Sequence, residues 1–445
     1  MASSLRHPLF AVVVAVSLTV PWLALWTTGT AEALSTGVTV LLTGIAILGA
    51  AFLLAWAAET AEKDVPRSFA IAVLAVLAVA PEYAVDALYA WTAGAQAGTE
   101  RGIEAGNLAI ANMTGANRIL IGLGWSAIAL FTLRRSLKVA DVSVRHRDGV
   151  LADSVVLDRG IAIEILFLGM ATVWAFFIPL MGGIDILDTI VLVGLYVLYI
   201  AIILKAGVEV EEEHIGVPAY LQTYARPKRV ATVIGLFAYS GVMLLLAVEA
   251  FAHGLEGLGV DYGIPKFFMI QWVAPLASES PELIVVAVLV LKSRSTAGFN
   301  ALISSKLNQW TLLIGTLAVV YSLGLGQYGV LEFEYKQALE IWLTAAQSFF
   351  ALAILVNFEI SGREAVALLA LFSSQVTIEF LLLRVLPVAN PEVLSHQSLL
   401  AFTAVYVLLG TALFVHRRRA IAELMTVAGA TAQQAIGRAP TPEAD

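Results

Sequence analysis

The chain of 445 residues has no cysteine. That excludes disulfides, thiolate metal sites and thiol catalysis. Charge is scarce as well: 13% of the residues are Asp, Glu, Lys or Arg, about half the usual quarter of a soluble domain. The 26 basic and 34 acidic residues leave a formal net charge of −8, so the basic footprint of a nucleic-acid partner is missing. There is no His-rich metal motif, no Gly-x-Ser-x-Gly and no phosphate-binding glycine loop, which leaves an enzyme with little to work with. What the chain has in excess is apolar: 59% of its residues are hydrophobic. A water-soluble protein of this size lacks the polar cover for so much apolar surface.

A bilayer core about 30 Å thick is crossed by about 20 apolar helical residues. Twelve such runs are present, at 9–29, 38–58, 68–95, 103–133, 159–180, 186–205, 230–253, 267–291, 298–325, 340–358, 365–384 and 398–416. They are apolar all round rather than alternating, and backbone groups in lipid must be satisfied within the element, so they are read as helices and not as barrel strands. Alternating the spans from an inside N-terminus puts Arg134, Arg135, Lys138, Arg145 and Arg147 in one inside loop and Lys205, Arg226, Lys228 and Arg229 in the next, with Lys63, Arg67, Lys292, Arg294, Arg363 and Arg417–Arg419 also inside. The outside loops keep little more than Arg101, Lys266 and Lys336. Positive charge collects on the cytoplasmic side, so both termini are expected there, in the plasma (inner) membrane. The first span reads as a retained helix; Ala31-Glu32-Ala33 resembles a cleavage site, but the apolar core is longer than a signal peptide needs.

Two segments repeat. The first runs Ala80-Pro81-Glu82-Tyr83-Ala84-Val85-Asp86 and then Thr114-Gly115-Ala116-Asn117-Arg118; the second runs Ser280-Pro281-Glu282-Leu283 and then Ser305-Lys306-Leu307-Asn308-Gln309. Five spans separate the two Pro-Glu pairs, and an odd offset inverts a unit. The fold class expected is therefore an all-α integral membrane protein of about twelve helices, with two inverted five-helix repeats (spans 2–6 and 7–11) flanked by spans 1 and 12. In residues, this gives an extra helix at 1–36, a first repeat at 37–206, a cytoplasmic connecting loop at 207–229, a second repeat at 230–386, an extra helix at 387–419 and a polar tail at 420–445. Inverted repeats with interrupted helices at the midplane mark secondary transporters.

Each proline removes a helical hydrogen bond, freeing the Leu77 and Ala277 carbonyls, and a carboxylate follows each at once. A charge at the bilayer centre costs at least about 2.5–3.5 kcal/mol, and a bound cation is the simplest way to offset it. Asp86 lies one turn beyond Glu82, and Glu279 three residues before Glu282, each on the same face as its neighbour. Four carboxylates are thus expected to converge, joined by the amides of Asn117 and Asn308 and the hydroxyls of Thr114, Ser305, Ser278 and Ser280. An all-oxygen set suits hard cations such as Ca²⁺, Na⁺ or Mg²⁺. Arg118, deep in span four, reads as a counter-ion to one of these carboxylates or as a built-in cation replacing one ion, and Asp86 is its alternative partner. Lys306 reads as a residue that snorkels to the interface. The asparagines have a second reading as helix-to-helix hydrogen-bonding groups. Glu249 with His253 reads as an interfacial pair, and Glu164, Glu359 and Glu379 as solvated or paired groups near span ends.

These residues resemble the α-repeats of the Ca²⁺/cation antiporter superfamily, which includes Na⁺/Ca²⁺ and Ca²⁺/H⁺ exchangers. There, each repeat pairs a Gly-Thr-Ser-x-Pro-Glu-like segment with a Gly-Ser-Asn-x-x-Asn/Asp-like segment that ends in an apolar run and Gly. Pro81-Glu82 and Pro281-Glu282 match the first, and Thr114 through Gly124 and Ser304-Ser305 through Gly315 match the second more loosely. The resemblance covers about a hundred residues directly and ten helices by architecture. It implies that Glu82 and Glu282 are the ion-binding acids. Ala78-Val79 replace the Thr-Ser of the first repeat, and Ser278-Glu279 stand at those positions in the second. Aligned on Gly124 and Gly315, the later Asn/Asp position falls on Arg118 and Gln309, and a shift of one residue moves it to Asn117 and Asn308.

The expectation is a cation antiporter that exchanges Ca²⁺ or Na⁺ for H⁺ or Na⁺ by alternating access. Scarce hydroxyls and the added acid favour H⁺ coupling. The expected partners are inorganic cations and the bilayer, with no cofactor, and the oligomeric state is unassigned. Na⁺/H⁺ exchange on the same fold is the first alternative; a cation channel and a membrane-embedded enzyme are weaker ones, since two buried pseudo-symmetric acids suit occlusion better than conduction.

Overall fold

A computed structural model of the chain describes residues 7–64, 80–206 and 216–437. Arg6, the first part of the third expected span with Arg67, Leu77, Ala78 and Val79, the stretch 207–215 and the end of the tail from 438 lie outside the described residues. Among the described residues, nine helices are long and apolar enough to cross a membrane, and ten if the pair around position 281 counts as one span. The ninth expected span is a continuous helical run from Ser295 to Leu325.

Contacts divide the chain into two compact units, Met1–Tyr89 with Val210–Pro281, and Ala90–Glu209 with Glu282–Asp445. The division gathers the first helices of each half into one unit and the later helices into the other. Glu82, Asp86, Ser278 and Glu279 fall in the first unit, and Thr114, Asn117, Arg118, Glu282, Ser305 and Asn308 in the second.

In the first unit the helix Thr36–Ala61 lies along the long helix Arg226–Asp261. Small residues let them approach: Gly44 faces the Phe251 ring and Gly254 faces Val40. The helix Pro8–Thr27 packs on Thr36–Ala61, and its Trp22 Nε1 donates to the Leu246 carbonyl at 2.9 Å. At one end of this bundle Arg229 grips Asp64 with two 2.6 Å hydrogen bonds, from Nε and Nη2, a bidentate geometry that only Arg offers. That salt bridge and the hydrogen bonds, the Arg229 ones first among the causes, hold the Asp64 carboxyl below its usual 3.8.

The second unit is built around two helices that see little lipid. Tyr335–Leu355 is 89% buried over its most apolar window and Glu100–Ser136 is 72% buried, against 17% for the peripheral Pro391–His416. The reason is in their sequences. Gln337, Glu340, Thr344, Gln347 and Ser348 recur at helical spacing along Tyr335–Leu355, and all five are buried. Such a polar stripe is stable in a membrane only when neighbouring helices cover it. Peripheral helices show the converse, with apolar side chains such as Leu408 and Ile190 exposed. The helices Ala80–Ala95 and Ile314–Leu325 cross where Gly94 and Gly324 stand: a Cβ on Gly94 would overlap the Tyr321 carbonyl, and one on Gly324 the Trp91 carbonyl.

Two small antiparallel sheets close loops of this unit. Val144–Arg145 pairs with Ser154–Val156, which pairs in turn with Glu359–Ser361 in the register Ser154 to Ser361 and Val156 to Glu359. Glu359 receives Arg145, Arg147 (2.6 Å) and the Ser154 hydroxyl (2.9 Å). Gly183–Ile184 pairs with Leu331–Glu332.

Candidate functional site

The helix Ala80–Ala95 carries the first Pro-Glu in its opening described turn. Glu82 is 3% exposed and Asp86 2%; four residues apart, they share one side of the helix. The freed Leu77 carbonyl and the Ala78-Val79 pair fall outside the described residues. In the same unit, Glu279 is 1% exposed and Ser278 is buried beside it. The helix Ala274–Leu291 that carries them follows a π-helical turn at Met269–Val273 and is bent sharply at position 281. Ser278 Oγ donates to the carbonyls of Ala274 (3.4 Å) and Pro275 (3.3 Å), and Ser280 Oγ to that of Leu276. Donation leaves the hydroxyl lone pairs as acceptors toward a cation. This unit also holds an acid that hydropathy alone does not single out. Glu256 is buried, accepts from Tyr89 Oη at 3.1 Å and lies 3.7 Å from Lys266 Nζ. Glu249 and His253 on the same helix are exposed.

In the second unit Ser305 Oγ donates to Glu282 Oε2 at 2.9 Å. Thr114 Oγ1 donates back to the carbonyls of Ile110 (2.7 Å) and Ala111 (3.2 Å). Asn117 is fully buried, and its Nδ2 donates to the Met113 carbonyl at 2.8 Å. Asn308 is buried as well. Both asparagines are followed by π-helical turns, Leu120–Trp125 and Gln309–Leu313. A π turn is an α-helix with one residue inserted, and such turns cluster at functional sites. In both halves a π turn occupies the stretch that leads from the asparagine to its terminal glycine, Gly124 or Gly315.

Two basic groups have partners that the sequence did not single out. The Arg118 guanidinium binds Glu340 and Gln375, both buried, and Gln347 Nε2 donates to its carbonyl at 3.3 Å. Gln375 Nε2 reaches Glu379 at 2.9 Å, and Lys336 Nζ lies 3.1 Å from Glu379 and 4.0 Å from Glu340. Arg118, Glu340, Lys336, Glu379 and Gln375 so form a ring of contacts with two basic and two acidic members. Lys306 does not snorkel. Its side chain is 0% exposed, and its Nζ donates to Asn117 Oδ1 at 2.6 Å. Of the three acids expected near span ends, Glu164 accepts from Tyr199 Oη at 3.0 Å, while Glu359 and Glu379 are paired as described. Glu340 was readable in advance only through the polar stripe of its helix, and Glu256 through its three-residue offset from His253.

The candidate ligands are thus carboxylates, amides and hydroxyls in apolar surroundings, an oxygen set suited to a hard cation. Among the described residues, no three His, Asp or Glu side chains gather into a metal-holding group.

Comparison with known proteins gives the family. Residues 34–205 and 232–381, more than half of the chain, match the sodium/calcium exchanger protein family. Among solved structures, the crystal structure of H⁺/Ca²⁺ exchanger CAX is 42% identical, with a TM-score of 0.83 over 95% of this chain and 98% of that one. The structure of native YfkE is 15% identical, with a TM-score of 0.56 over 82% of this chain and 98% of that one, and shows the fold alone. No curated protein matches the chain. The chain is an integral membrane protein of the sodium/calcium exchanger protein family.

Proposed function

We propose that the chain is a secondary active antiporter that exchanges Ca²⁺ for H⁺ by alternating access, with Glu82 and Glu282 as the carboxylates that bind the ion. Asp86, Glu279, Asn308, Thr114, Ser305 and Ser278 serve as auxiliary oxygens, Asn117 supports the site beside Lys306, and Arg118 serves as a counter-ion within its own ring rather than as a substrate contact. The observation that carries the reading is the duplicated Pro-Glu in a chain 42% identical, over 95% of its length, to a protein described as an H⁺/Ca²⁺ exchanger. The chemistry supports it. Two carboxylates in apolar surroundings are costly as bare anions. One Ca²⁺ or two protons neutralise them equally well, so the two ions compete for the same oxygens.

The protein works without a cofactor, in the inner membrane with both termini cytoplasmic. Its two halves are the repeats at 37–206 and 230–386, joined by the loop at 207–229, with extra helices at 1–36 and 387–419 and a tail at 420–445. The test is Ca²⁺ entry into sealed proteoliposomes under a proton gradient alone. Wild type takes up Ca²⁺, and Glu82→Gln and Glu282→Gln each abolish uptake while keeping a wild-type melting profile. Wild-type flux in either variant defeats the assignment. Absence of Ca²⁺ movement with retained movement of labelled Na⁺ favours the second reading, Na⁺/H⁺ exchange on the same fold.

A further inference from the structure

We propose that Lys306 is a resident cation: its ammonium fills the oxygen position at Asn117 that a monovalent ion would take, and so excludes Na⁺ from the transport site. The proposal rests on the antiporter reading above. An ammonium moved from water into a protein interior is destabilising unless its surroundings replace its hydration. The contacts of Lys306 include oxygens of the kind that line an alkali-ion site. Nζ lies 2.6 Å from Asn117 Oδ1 and 3.4 Å from the Asn117 carbonyl, with the Trp310 ring face 4.2 Å away. Neutral oxygens of this kind are donors that a hard monovalent cation also accepts, and the ring face adds a contact suited to an ammonium.

The amide is held for this task. Asn117 Nδ2 is committed to the Met113 carbonyl at 2.8 Å, which turns Oδ1 toward the ammonium and fixes the O/N assignment. The place is also the right one. Asn117 and Asn308 each stand seven residues before the closing glycine of their repeat, Gly124 and Gly315, and each leads into a π turn. Lys306 sits two residues before Asn308, and its neighbour Ser305 donates to Glu282 at 2.9 Å. The ammonium therefore belongs to the same helical turn as a group that touches the ion-binding acid. A tethered charge cannot leave, so this position takes no part in exchange, and only the carboxylates load and unload.

The experiment compares wild type, Lys306→Met and Lys306→Arg in two ways: labelled Na⁺ binding to detergent-solubilised protein, and proton-driven Ca²⁺ uptake in proteoliposomes with Na⁺ or choline as the bulk cation. Wild type and Lys306→Arg are expected to bind no Na⁺ that Ca²⁺ displaces and to be indifferent to the bulk cation. Lys306→Met keeps the side-chain volume but frees Asn117; it should gain Ca²⁺-displaceable Na⁺ binding, at least tenfold tighter than wild type, and a several-fold response of uptake to Na⁺. A folded Lys306→Met protein with no such binding overturns the proposal. So does Ca²⁺-displaceable Na⁺ binding to wild type, which needs no variant to fold. If wild type moves no Ca²⁺, the antiporter reading fails by itself, and the Na⁺-binding comparison still decides the role of Lys306.

Discussion

Removing the Glu340 carboxylate should destabilise the second unit far more than an ordinary surface change. Arg118 and Glu340 are 1% and 2% exposed, and the ring they share with Lys336, Glu379 and Gln375 holds two basic and two acidic side chains. Glu340→Leu deprives the buried Arg118 guanidinium of that carboxylate. Breaking a buried pair from one side costs about 3–5 kcal/mol. At the ~2 °C per kcal/mol of larger domains, the melting temperature should fall by about 6–10 °C. Glu340→Gln keeps an oxygen toward the guanidinium and loses only the charge-assisted part, about 1.5–3 kcal/mol.

The double variant Arg118→Leu with Glu340→Leu removes both charges and fills the space with apolar atoms. It should stay within about 2 kcal/mol of wild type, because apolar replacement of a whole buried pair is often neutral. The assay is thermal unfolding of the detergent-solubilised protein by tryptophan fluorescence, read as a double-mutant cycle. The reasoning is refuted if Glu340→Leu melts within 2 °C of wild type, or if the double variant loses as much as the two single variants together.

Three further outcomes follow from the geometry. Asp64, held by Arg229 below its usual 3.8, contributes stability that is complete above its unfolded value and is lost as pH falls through the lower folded value. Melting temperatures of wild type and Asp64→Asn should therefore differ at pH 7 and converge toward pH 3; a difference that is constant with pH counts against the salt bridge. Ser305→Ala removes a proposed ligand oxygen that stands 2.9 Å from Glu282, so the apparent Ca²⁺ affinity in the vesicle assay should drop by about tenfold, and unchanged affinity speaks against Ser305 as a ligand. Gly94→Ala places a methyl against the Tyr321 carbonyl; a backbone cannot yield as a side chain does, so a cost of about 1–3 kcal/mol should appear as a lower melting temperature, and an unaffected protein would mean the two helices can part at no cost.

Much of the fold was legible because hydropathy and charge asymmetry are local properties. Spans such as 38–58 and 186–205 need only their own residues to be read, and the structure has Thr36–Ala61 and Ile186–Ala206 there. The Pro-Glu pairs were visible for the same reason. Partner choice was not. Arg118 meets Glu340, 222 residues away, and no pattern within one span ranks that acid above nearer ones. Distance from the span end suggests a snorkelling Lys306, whereas its position is set by Asn117 of another helix. The π turns leave no trace in composition. The strands Val144–Arg145 and Ser154–Val156 are too short to show a period, and they exist because Glu359–Ser361 completes them.

That last pairing has a consequence for biosynthesis. Ser154 pairs with Ser361, so the loop strand must wait until about two hundred more residues have been made. At about 5–20 residues per second, the wait is on the order of 10–40 s. During it the edge of Ser154–Val156 is open, and Arg145 and Arg147 have yet to meet Glu359. Open edges invite strand addition by other chains. The three-residue strand Glu359–Ser361 is thus a late latch: it closes a loop emitted early, and the helix Gly362–Phe380 follows it directly in the chain. A chain that stalls before Glu359 leaves that edge and its arginines to whatever binds them first.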